Sequence, residues 1–85
     1  MIKLNDTLVS LDIAGEYVIV EPETGRYLAS NIVAHEMMSA INSAGTEGDA
    51  LRMLSRRFDV DLPTLSQDFT RFQSTLLQLG IATAC

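Results

Sequence analysis

The sequence predicts an α+β domain of the winged helix-turn-helix kind: a three-stranded antiparallel sheet followed by three helices. Two observations carry this prediction. The first thirty residues hold short β-favouring runs separated by glycine- and proline-containing turns, whereas from Asn31 onward apolar residues recur at helical spacing. Two short helical stretches then precede a longer one, an order that fits two helices and an anchoring third beside a small sheet. Eighty-five residues make a single domain spanning 1–85, with a modest core and little room for a deep catalytic cavity.

The elements follow in order. Leu8-Val9-Ser10-Leu11-Asp12-Ile13 is a short, imperfect alternation that suits a strand, and Ala14-Gly15 breaks it. Tyr17-Val18-Ile19-Val20 is unbroken and β-favouring, as expected of a central strand covered on both faces. Pro22 and Gly25 supply a turn, and Arg26-Tyr27-Leu28-Ala29-Ser30 returns as a third strand at the edge of the sheet. Asn31 is an N-cap for a helix from Ile32 to about Ser43, with Val33 or Ala34, Met37, Met38 and Ile41 on its apolar stripe. Thr46 caps a second helix, from about Glu47 to Phe58, which turns Ala50, Leu51, Leu54 and Phe58 inward. Asp61 and Pro63 start the third, where Leu62, Leu65, Phe69, Phe72, Leu76 and Leu79 recur at intervals of 3, 4, 3, 4 and 3. Gly80 stops that helix, and Ile81 folds back on the core.

Composition narrows the function. Apolar residues make up 47% and charged residues 20%, which is ordinary for a globular domain. No apolar run reaches the length of a membrane span, the start lacks the apolar core of a signal peptide, and one cysteine, Cys85, fits a reducing cytoplasm. The expected location is therefore cytoplasmic, with no membrane partner. A net charge of −5 disfavours phosphate backbones, and Arg52, Arg56 and Arg57 read as a solvated face late in a helix, where cations match the dipole. The exposed side of the third helix is polar but holds only Arg71 as a base and Asp68 as an acid, too little for a DNA-reading helix.

Catalytic equipment is scarce. His35 is the one histidine, and no second histidine or cysteine stands at metal-ligand spacing from it. No glycine-rich loop follows a strand, and the carboxylates fall mostly in turns and helix starts, where capping accounts for them. Met37, Met38 and Met53 read as core packing rather than a soft-metal site. The expectation is a non-catalytic protein with no catalytic residue, no metal and no cofactor.

Three stretches form a recognisable set. Pro22 to Tyr27 runs on to Asn31, Ala34, Glu36, Met37 and Met38; Gly45-Thr46 is followed by Leu54 and Phe58-Asp59-Val60-Asp61; and Leu65, Asp68, Phe72, Leu76, Gly80 and Ile81 complete it. In this order and spacing, over roughly residues 7–82, the chain resembles the PqqD-like family, the precursor-peptide recognition elements of ribosomally made, post-translationally modified peptide pathways. It departs at Ser30, where the family usually has leucine, and at Met38, where it has tryptophan or another large apolar residue.

The resemblance implies a binding module that holds the leader segment of a precursor peptide for a separate maturation enzyme, whether protease, cyclase or radical-SAM enzyme. Relatives serve pyrroloquinoline quinone, lasso-peptide and radical-SAM-modified peptide pathways alike. The leader is expected to add as an antiparallel strand to the third strand, in a groove floored by the third helix. Carried onto this chain, the peptide-binding residues are Arg26, Tyr27, Leu28, Ala29 and Ser30 on the strand, with Asp68, Arg71, Phe72 and Thr75 on the helix. Alternation puts Tyr27 and Ala29 on one face and Arg26, Leu28 and Ser30 on the other, with Leu28 favoured to meet the groove. Asp68 also has a local use, pairing with Arg71 one turn on. Two other readings compete: a winged-helix DNA-binding regulator, and an assembly subunit forming a homodimer through the same edge strand.

Overall fold

The computed structural model describes residues 1–84, and Cys85 lies outside the described residues. Five strands and three helices follow in the order β1 (Lys3–Leu4), β2 (Val9–Ile13), β3 (Glu16–Glu21), β4 (Arg26–Ser30), α1 (Ile32–Ser43), α2 (Glu47–Arg57), α3 (Leu62–Gln78) and β5 (Ala82–Thr83). The main sheet is an antiparallel meander ordered β2-β3-β4, so β3 is central and β4 an edge. Ala14 and Gly15, both at positive φ (54° and 87°), make the two-residue turn between β2 and β3. Gly25 (φ 74°) closes the second hairpin, and Gly80 (φ 76°) ends α3.

Each helix begins at the expected cap. Asn31 Oδ1 accepts the Ala34 N–H (2.9 Å), Thr46 Oγ1 the Asp49 N–H (3.2 Å) and Asp61 Oδ2 the Thr64 N–H (3.1 Å). Thr64 also donates its hydroxyl to Asp61, and these bonds hold the Asp61 carboxyl below the ordinary aspartate range. The helices build the core with Met37, Met38, Ala40 and Ile41 from α1, Ala50 and Leu54 from α2, and Leu65, Phe69 and Leu76 from α3. Ile19 enters from the sheet, and Leu28, Leu51, Phe58 and Phe72 pack at the margin.

Four expectations need correction. Only one face of β3 is covered: Ile19 is buried, whereas Val18 and Val20 are half-buried because no helix lies over the other side. Met53 is exposed at the rim of α2 rather than in the core. Leu62 is 55% exposed, because it opens the helix beyond the last packed turn, and Leu79 is exposed at the other end. Gln73, which the pattern assigns to the solvated side of α3, is buried.

Gln73 is buried because it sits one turn from Phe69 and faces the amino-terminal segment. The Ile2 N–H donates to its Oε1 (3.1 Å), and its Nε2 donates to Glu47 Oε1 on α2 (3.0 Å). The same segment adds a second, two-stranded sheet that the sequence pattern does not reveal, with Lys3 opposite Thr83 and Leu4 opposite Ala82. Ile2, Leu4 and Leu8 thereby enter the core beside Ile81 and Ala82.

A candidate peptide-binding groove

Strand β4 pairs with β3 along one side only, with Ile19 opposite Leu28 and Tyr17 opposite Ser30. In an antiparallel ladder every second residue points its N–H and C=O to the other side, so β4 offers main-chain donors and acceptors at its open edge. The register places Leu28 on the face of Ile19, toward the core, and Tyr27 and Ala29 on the outer face. Leu28 thus lies on the inward face with Arg26 and Ser30, packed at the margin of the core. Tyr27, 76% exposed, turns away and can serve a ligand at this edge through its backbone alone.

The strand then feeds Asn31, the cap of α1, and Asn31 lines a cavity of about 300 Å³ between α1 and α3. Val33, Ala34 and Met37 form the α1 wall, and Asp68, Arg71, Phe72 and Thr75 form the α3 wall. The four helix positions that the resemblance implies therefore line one cavity, whereas none of the five strand positions, Arg26 to Ser30, lines it. Val33, Ala34 and Met37 escape sequence reasoning as site residues, because an apolar stripe shared between core and groove has one period. Their signal is that Val33 stays exposed on that stripe.

Charge lies at the rim. Arg71 Nη1 and Asp68 Oδ1 stand 3.8 Å apart with side chains 77% and 50% exposed, a pair that adds little stability and remains open to exchange with a ligand. Thr75 donates its hydroxyl to the Arg71 carbonyl (3.0 Å). Phe72 is half-buried, packed on the core with one side in the cavity. At the opposite end of the strand, Arg26 Nη2 donates to Glu21 Oε2 (3.3 Å) and to the Leu79 carbonyl (3.0 Å), tying β4 to the end of α3. Thr24 also donates to Glu21, whose carboxylate is buried.

Other features offer less. His35 Nδ1 lies 2.7 Å from Ser10 Oγ, and its ring centroid is 5.0 Å from that of Tyr17, so it joins helix to sheet. A larger hollow, about 750 Å³, lies between the amino-terminal segment and the α1–α2 junction and reaches no residue of β4. Arg52 pairs with Asp49, and Arg57 with Glu36 at 3.6 Å. No group of three or more metal-ligating side chains occurs among the described residues. No helix among them is long and apolar enough to cross a membrane.

Comparison with known proteins places this architecture. The family model described as coenzyme PQQ synthesis protein D (PqqD) matches residues 16–82. The chain belongs to the PqqD family. Two solved structures share the fold of this PqqD-family chain. One, TbiB1 in complex with the TbiA(beta) leader peptide, has a TM-score of 0.77 at 24% identity, covering 94% of this chain and 93% of that one. The other, lasso peptide synthetase B1 complexed with the leader peptide, has a TM-score of 0.77 at 16% identity and covers 95% of both chains. A search of curated protein sequences found no match.

Proposed function

We propose that this PqqD-family protein binds the leader segment of a ribosomally made precursor peptide as a fourth strand on β4 and presents it to a separate modifying enzyme. One observation carries the reading: the open edge of β4 runs directly into an apolar-walled cavity between α1 and α3. Main-chain bonds along the edge give sequence-tolerant affinity, and the cavity selects one apolar leader side chain against Val33, Met37 and Phe72. An antiparallel leader runs parallel to α3, entering beside Asp68 and leaving beside Arg26. Both structures of the same fold are complexes with a leader peptide, which supports the assignment. The protein itself performs no chemistry; it raises the effective concentration of the core segment at the enzyme. That enzyme is a protease, cyclase or radical-SAM enzyme working in the cytoplasm.

The test is fluorescence anisotropy with labelled leader segments of the precursors encoded beside this chain, each also made with single backbone N-methyl groups. Strand addition predicts losses that alternate along the peptide, since only every second N–H meets β4, at about 0.5–1.5 kcal/mol per bond. Saturable binding without that alternation contradicts edge pairing. Binding that weakens as protein concentration rises identifies a homodimer occupying the edge.

A further inference from the structure

The groove leaves the opposite side of the sheet without a use. The register sets Val9 against Val20, Leu11 against Val18, and Val20 against Tyr27, so Val9, Leu11, Ile13, Val18, Val20 and Tyr27 share the outer face. A sheet with one side in water normally turns its polar residues outward. Strand β2 does the reverse: Val9, Leu11 and Ile13 point out, 42%, 39% and 58% exposed, while Ser10 and Asp12 take the inward positions. A slip of one residue exchanges the two sets. The two-residue turn at Ala14–Gly15 and the Ser10–His35 bond hold the register that exposes the apolar set.

The charge around this face is mainly acidic, although Lys3 lines a hollow beside Glu23 together with Asp6. Glu16 shares it at one end, and Glu23 stands in the exposed turn at the other. Arg26, the sole lysine or arginine between residues 7 and 35, is turned inward to Glu21. At standard strand spacings the face measures roughly 15 Å by 17 Å, about 250 Å². A stable interface covers about 800 Å² on each partner, so this face alone supports a transient contact rather than a lasting complex with any partner. A second copy also brings carboxylates against carboxylates.

We propose that the outer face of the β2-β3-β4 sheet docks a partner protein whose own apolar patch is bordered by lysine or arginine. Resting on the leader-binding reading, that partner is the modifying enzyme, held on the side of the sheet opposite the groove while the leader occupies β4. The enzyme and the leader then bind together without competing.

The experiment uses the full chain and the modifying enzyme encoded beside it, with affinity measured by biolayer interferometry and leader affinity measured on the same samples. In Leu11→Ser/Ile13→Ser, enzyme affinity falls at least about tenfold, as loss of apolar anchors does, while leader affinity stays within about twofold. Glu16→Lys/Glu23→Lys weakens the enzyme complex and removes its salt dependence. Unchanged enzyme affinity in both variants, or no binding by the wild type, overturns the proposal. A wild-type dimer in sedimentation that Leu11→Ser/Ile13→Ser abolishes also overturns it, in favour of a second copy. Enzyme binding that depends on the outer face in a protein that binds no leader upholds the docking face and refutes the leader reading.

Discussion

Replacing Gln73 by alanine separates the amino-terminal segment from the helices, and its cost can be worked from two bonds. The Ile2 N–H sits in a residue only 7% exposed and loses its acceptor, at about 1–3 kcal/mol for a buried donor left unsatisfied. The bond to Glu47 Oε1 ends on an exposed residue, where the net contribution is at the ordinary level of about 1 kcal/mol. The sum, about 2–4 kcal/mol, is a large part of the 5–15 kcal/mol that holds a small domain. At about 4–8 °C per kcal/mol for a domain of this size, thermal unfolding of Gln73→Ala should fall by at least about 8 °C. Gln73→Glu sharpens the test. Its new carboxylate faces that of Glu47, so its folded pKa lies above the unfolded value; the variant is weakened at neutral pH and recovers as the pH drops through the carboxylate range. The assay is calorimetric melting across pH. A loss in Gln73→Ala under about 0.5 kcal/mol, or Gln73→Glu melting alike at neutral and acid pH, refutes the role of this bridge.

The remaining predictions concern turns, caps and the groove. Ala14 holds a positive φ that costs an alanine about 1 kcal/mol, so Ala14→Asn should raise the melting temperature by several degrees in differential scanning calorimetry. The lowered pKa of Asp61 contributes stability that is present above the ordinary aspartate value and lost as the pH falls through the folded value. Asp61→Asn keeps a cap, and its acid unfolding curve should be flatter in that window. Val33 is exposed on the groove wall, so Val33→Asp should leave melting within about 0.5 kcal/mol of wild type. The same variant should weaken leader binding by about tenfold, which is about 1.4 kcal/mol.

The fold was legible where a residue type has one local use. Asn31, Thr46 and Asp61 all cap as read, Gly80 ends α3, and the edge position of β4 followed from its place between a hairpin and a helix. Pattern failed where tertiary context decides. The β1–β5 pair consists of two residues on each side, too short to show alternation. Gln73 reads as polar surface because its burial depends on a backbone N–H from the other end of the chain. The apolar run in β3 suggested two covered faces, and the inverted alternation of β2 is what shows that one remains open. In the candidate groove, Asp68, Arg71, Phe72 and Thr75 came from the family resemblance, and they line one cavity because they fall on adjoining turns of α3. The opposing wall of Val33, Ala34 and Met37 needed the packing angle between α1 and α3, which spacing does not contain.

The central claim is that a leader peptide completes the sheet at β4. It is tested most directly by backbone amide NMR of the labelled protein titrated with a leader from a neighbouring precursor. The account predicts saturable shifts concentrated at Arg26–Ser30, Asn31–Met37 and Asp68–Thr75, with new exchange protection at alternate amides of β4. Shifts confined to the hollow beside Met1–Asp6, or no binding by a folded monomer, contradict it.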